Sequence, residues 1–80
     1  MSKHEIRAPM PGTFYRSASP DKPAFKADGD AVASADTIGL IEVMKTFHEV
    51  AAGVDGRSIT FLIDNEEPIM AGQVIAEVEQ

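Results

Sequence analysis

A chain of 80 residues, 44% hydrophobic and 25% charged, suits one small globular domain and argues against disorder. It lacks cysteine, which excludes disulfides and thiolate metal sites, and its net charge of −6, with seven scattered Lys and Arg and no Trp, argues against a nucleic-acid partner. No apolar run long enough for a membrane span occurs, and residues 1–5 have no apolar stretch behind them that would mark a signal peptide, so no membrane partner and a cytoplasmic location are expected.

The first element covers residues 6–15, "IRAPMPGTFY", in which Pro9 and Pro11 rule out a helix interior or a central strand. They suit a sheet edge followed by a turn at Gly12. Residues 16–30, "RSASPDKPAFKADGD", read as a loop that is long for a domain of this size. Such a loop either carries function or is plain surface, and composition does not choose. Two short strands follow, around Ala31-Val32 and over residues 38–43.

The next stretch, "IEVMKTFHEV" (41–50), is ambiguous. Leu40, Ile41, Met44, Phe47, His48 and Ala51 fall at helical spacing, with Asp36 or Thr37 as N-cap and Gly53 just past the end. Read locally, it is an amphipathic helix. Beyond it, Asp55-Gly56 signals a turn, "SITFLI" (58–63) is rich in strand formers, and "DNEEP" reads as a loop. The chain closes with Val74, Ala76 and Val78 alternating on one face.

An internal repeat decides against the helix. Residues 29–42 lie over 66–79 at an offset of 37, so that Val32 meets Ile69, Ile38 meets Ile75, Ile41 meets Val78 and Glu42 meets Glu79. Nearer the start of each half, Gly12 meets Gly56 at an offset of 44, which leaves about seven extra residues in the loop of the first half. Residues 38–42 then share the strand conformation of 75–79. The run from 37 to 54 is too long for one strand of the usual ~5–6 residues, so it must fold back on itself. The midpoint of 38–50 is Met44-Lys45.

Two-residue hairpin turns need positive φ at their central positions, which Asn and Gly supply cheaply. Met and Lys supply it at a cost of about 1–3 kcal/mol per strained residue, so their presence suggests that the side chains themselves are wanted there. A looser, unstrained turn is the alternative that propensity leaves open.

The pattern Glu42-Val43-Met44-Lys45-Thr46 resembles the Glu-Ala-Met-Lys-Met attachment segment of biotin carboxyl carrier domains. "APMPGTFY" (8–15) is similar to the opening strand of that family, and Gly29-Asp30 precedes its second strand. Asp55-Gly56 matches the turn after the attachment hairpin, and "GQVIAEVE" (72–79) the closing strand. The resemblance covers roughly residues 6–79. It implies an all-β fold, a flattened β-barrel or sandwich of two four-stranded antiparallel sheets with quasi-two-fold symmetry and the attachment lysine on a hairpin tip. Residues 1–80 then form a single carrier domain, with 1–5 as an N-terminal tail and 16–27 as a thumb-like loop. That insertion, within 17–25, resembles the thumb of the bacterial acetyl-CoA carboxylase carriers. The Ala/Pro-rich linker that usually precedes such a domain is not in this sequence, which fits either a free-standing carrier or an excised domain.

The chemistry the resemblance implies is covalent attachment of biotin to Lys45 by a biotin protein ligase. The Lys45 nitrogen, once deprotonated by the ligase, attacks biotinyl-adenylate, forming an amide and releasing AMP. A biotin carboxylase would then load a carboxyl group and a carboxyltransferase would receive it, most readily in acetyl-CoA carboxylase and hence fatty-acid synthesis. The chain would be a carrier and not an enzyme, with no catalytic residue. Met44 and Thr46 flank the lysine; Thr46 replaces the usual second methionine and Val43 the usual alanine.

A lipoyl carrier of an oxo-acid dehydrogenase complex shares the fold but flanks its lysine with Asp and Ala. An unmodified interaction module of the same fold is the other alternative. His4 and His48 lack partners at metal-ligand spacing, and no metal site is expected. Phe14, Phe47, Phe61, Ile63 and Val78 are expected in the core, and Met10 and Met70 in the core or at its rim.

Overall fold

The computed structural model describes residues 2–80. Short runs of β-branched and aromatic residues, interrupted by Pro, Gly and Asp, give seven strands: β1 (Lys3–Arg7), β2 (Gly12–Tyr15), β3 (Thr37–Val43), β4 (Thr46–Ala51), β5 (Ser58–Phe61), β6 (Glu67–Ile69) and β7 (Val74–Glu79). Among the described residues there is no helix, so none is long and apolar enough to cross a membrane. All pairing is antiparallel, in one sheet ordered β1-β7-β5 and another ordered β4-β3-β2-β6.

The two sheets are built alike, and the offset of 37 recurs in their hydrogen bonds. In one turn Ala33 N–H donates to Asp36 Oδ2 and Asp36 N–H to Ala33 O; 37 residues on, Met70 N–H donates to Gln73 Oε1 and Gln73 N–H to Met70 O. Ala27 N–H donates to Asp30 just as Asp64 N–H donates to Glu67. The ladders skip Ile38 in β3 and Ile75 in β7, so each strand carries a bulge at the equivalent residue. Those bulges turn two successive residues inward: Ile38 and Gly39 in β3, Ile75 and Ala76 in β7 are all buried.

Side chains from both sheets meet in one core. Phe14, Ile38, Ile41, Ile59, Ile75 and Val78 are fully buried, each contributing about 1.5–3 kcal/mol from burial alone. The Phe14 ring lies 6.2 Å from that of Phe61, joining the second sheet to the first. Gly39 is required by this packing, because a Cβ there would overlap the Phe14 ring.

Four details depart from expectation. The tail expected over 1–5 is a strand from Lys3 onward, pairing with β7 from Lys3–Glu79 to Arg7–Val74. The stretch 6–15 is not one element but two, β1 and β2 in different sheets, with Pro9 and Pro11 at the crossing. The first sheet has three regular strands, and residues 29–32 take the fourth place: Gly29 N–H donates to Ile59 O, Ile59 N–H to Asp30 O, and Val32 and Gly56 exchange both bonds at 2.9 Å. Gly29, at φ 95°, breaks the regular geometry there. Finally, Phe47 is 54% exposed and lies outside the core, and Met70 is 70% exposed, whereas Met10 packs partly against the core.

Candidate functional site

β3 and β4 form a hairpin whose last pairs are Ile41–His48, Glu42–Phe47 and Val43–Thr46. Met44 and Lys45 are the two residues left for the turn, at φ 50° and φ 66°. This is the primed-turn geometry that matches the twist of a hairpin and that normally selects Asn or Gly. The strained alternative, and not the looser turn, is the one the sequence adopts. The seven- and six-residue strands on either side hold the two positive-φ residues in place.

Met44 is 92% exposed, and Lys45 and Thr46 are exposed beside it. Among the described residues Lys45 makes no hydrogen bond and no ion pair, so its amine is free to be reached by another molecule. Lys45 thus stands at the tip of the β3–β4 hairpin.

The loop expected as a thumb folds into a small structure of its own. Ser17 bridges Ala24, Phe25 N–H donates to Arg16 O, and Lys22 N–H donates to Ser19 O across the tip. Ser19 Oγ donates to Asp21 at 2.6 Å, which holds that carboxyl below its ordinary range. At the base the Arg16 guanidinium stacks 4.1 Å above the Phe61 ring and lies 3.6 Å from Asp28, while Lys26 Nζ reaches Asp36 and Ala31 O, both at 3.1 Å. Arg16 N–H donates to Asn65 Oδ1 as Phe61 N–H donates to Asp28 Oδ1 in the other half. The offset between halves therefore changes from 45 (Arg16 to Phe61) to 37 (Asp28 to Asn65), which makes the insertion eight residues and places it between 16 and 28.

Thumb and hairpin face each other across a cleft of about 330 Å³, bounded by Ser17, Ser19 and Pro20 on one side and by Tyr15, Phe47 and Glu66 on the other. Tyr15 meets Phe47 edge-on, ring centres 5.8 Å apart, and donates its hydroxyl to Glu42 Oε1 at 2.9 Å. That hydrogen bond, followed by burial and the charges of Glu42 and Glu66, holds the Tyr15 hydroxyl above its ordinary value.

Of the residues singled out in the sequence, Met44 and Lys45 form the hairpin turn and Thr46 opens β4 beside them. His4 and His48 lie on β1 and β4, in different sheets. Tyr15, Phe47 and Glu66 were not among the expected site residues. Phe47 was legible in principle: once the turn is fixed at Met44-Lys45, Phe47 pairs with Glu42 and must share its outward face. Glu66, at φ 63°, gave no signal except through the repeat, which lays it over Gly29.

The family model described as "Biotin-requiring enzyme" matches residues 4–79. Among curated relatives, the chain is 38% identical over 73 residues to the biotin carboxyl carrier protein of acetyl-CoA carboxylase from Chlamydia pneumoniae, covering 91% of this chain and 44% of that protein. It is 40% identical over 74 residues to the protein of the same name from Streptococcus pyogenes (92% and 45%), and 36% identical over 75 residues to that from Nostoc (94% and 41%). The chain thus spans less than half the length of these relatives.

Proposed function

On the premise that the chain belongs to the "Biotin-requiring enzyme" family, we propose that it is a biotin carboxyl carrier with Lys45 as the attachment residue and Met44 and Thr46 as its flanks. The observation that carries the reading is the exposed, unpartnered Lys45 in a turn whose two positive-φ residues, Met44 and Lys45, are costly choices for that geometry. The residues fit the group: a free primary amine on a rigid projecting hairpin can enter a ligase active site, which a lysine packed along a helix face could not do.

In this reading a biotin protein ligase takes a proton from Lys45 Nζ, and the nitrogen lone pair then forms an amide with the activated carboxyl of biotin. Biotin supplies, when bound, a ureido nitrogen able to carry a carboxyl group between a biotin carboxylase and a carboxyltransferase. The chain's own contribution is presentation: the four methylenes of Lys45 extend the reach of the arm, and the β3–β4 ladder fixes its root. The chain catalyses neither step. Curated relatives named as carriers of acetyl-CoA carboxylase support that enzyme as the setting.

The test is the intact mass of the protein after reaction with a biotin protein ligase, biotin and ATP, with Lys45→Ala alongside. A gain of one biotinyl group, absent in the variant, is expected. A gain equal to one lipoyl group on co-expression with a lipoate ligase, and none with biotin, would move the protein to the lipoyl carriers. No gain in a folded sample would leave the interaction-module reading.

A further inference from the structure

Tyr15 is the last residue of β2, and the next residue, Arg16, forms the base of the thumb. Its hydroxyl reaches Glu42 on β3, three residues before Lys45, and its ring meets Phe47 on β4, two residues after it. Glu42 and Phe47 stand directly opposite each other in the ladder. One side chain therefore touches both arms of the hairpin on the same outer face.

β4 is an edge strand whose sole ladder neighbour is β3, so the half of the hairpin that follows Lys45 is otherwise tied down on one side alone. In the other half the equivalent glutamate, Glu79, is held differently: Arg57 Nη2 lies 3.4 Å from its carboxylate. The hairpin half uses a neutral hydroxyl and an aromatic ring where the opposite half uses a cation.

We propose that Tyr15 is the positioning residue of the attachment hairpin, holding both arms of the Met44-Lys45 turn against the strand that carries the thumb. This rests on the carrier reading of Lys45. A loosened hairpin spends less time in the conformer a foreign active site can bind, which weakens apparent affinity in proportion, so a presented lysine needs a fixed root. Tyr15 supplies that root and sets the width of the cleft, because the same ring forms one of its walls.

The experiment is a double-mutant cycle of Tyr15→Phe and Glu42→Ala. Two readouts are taken: kcat and KM for biotin transfer by a biotin protein ligase, followed by intact mass, and amide hydrogen exchange at residues 44–46. Tyr15→Phe keeps the ring and removes the hydroxyl. It should raise KM about three- to tenfold, as expected for the net worth of one ordinary hydrogen bond, with kcat within about twofold of the parent. Exchange at the tip should accelerate by a similar factor while the β5–β7 ladder stays protected. The double variant should be no worse than the poorer single one. Parental KM and exchange in Tyr15→Phe would overturn the proposal. So would effects that multiply in the double variant, since Glu42 would then act on the ligase independently of Tyr15. If the parent protein takes no biotin at all, the carrier reading fails, and tip exchange alone decides whether Tyr15 holds the hairpin.

Discussion

The two halves of this domain agree in their turns, bulges and core positions, and two of the differences between them change the course of the backbone. One is the run from Arg16 to Asp28, where the first half carries the thumb and the second passes from Phe61 to Asn65 with three residues between. The other is the turn through Met44-Lys45 that carries β3 into β4. Symmetry is kept where residues bury surface. It is broken where side chains and backbone face outward, at the inserted loop and at the hairpin turn.

The largest expected effect tests the shared part. Ile38→Ala and Ile75→Ala each remove a fully buried side chain at equivalent bulges. Each should cost about 2–5 kcal/mol in denaturant unfolding, most of the stability of a domain this size. The two costs should match within about 1 kcal/mol, and a large inequality would mean that the halves share a backbone plan but not a packing plan. Lys45→Ala, by contrast, should leave stability nearly unchanged while abolishing the mass gain on reaction with ligase.

Next in size are changes where symmetry breaks. Replacing Met44-Lys45 by Asn-Gly relieves two strained residues and should stabilise the protein by about 1–3 kcal/mol, as the unfolding midpoint would report, while removing the attachment residue. If stability did not rise, the turn would carry no strain and the argument from residue choice would fall. Replacing residues 17–27 by Leu-Ile-Asp, the sequence of the equivalent run 62–64, should cost only about 1–2 kcal/mol. It should leave the mass gain intact, because the hairpin is held by the β2–β3 and β3–β4 ladders, which the replacement does not touch.

Much of this layout was legible in the sequence because the offset of 37 carries the core pairs, the turns and the bulges together, and that repeat overrode a local helical periodicity over 37–51. What escaped depends on long-range pairing. Residues 3–5, "KHE", are exposed in β1 and owe their strand to the backbone of β7, so no apolar alternation announced them. The fourth rung of the first sheet, residues 29–32, hides in a Gly-Asp sequence that reads as a turn and behaves as one while still bonding to β5. Phe47 looks like core by composition, yet its register against Glu42 turns it outward onto Tyr15. Tyr15 and Glu42 are 27 residues apart, and no local pattern links them.

The smallest effect separates two equivalent turns by charge. Asp36 and Gln73 make the same pair of backbone bonds, but Asp36 is ionisable and lies 3.1 Å from Lys26. The hydrogen bond from Ala33 N–H, then Lys26, holds its carboxyl below the ordinary 3.8. A depressed folded-state value means that this stabilisation is present above 3.8 and is lost as the pH falls through the folded-state value. Asp36→Asn keeps an acceptor for Ala33 and removes the charge. It should therefore be less stable than the parent at pH 6, with the gap closing as the pH falls through the folded-state value, whereas Gln73→Glu, whose carboxylate would accept the same bond from Met70 N–H without Lys26, should show a weaker dependence on pH. Denaturant midpoints of the three proteins across that range decide the point. A gap independent of pH would show that the turn is held by hydrogen-bond geometry alone and that Lys26 serves the thumb without stabilising the ionised carboxylate.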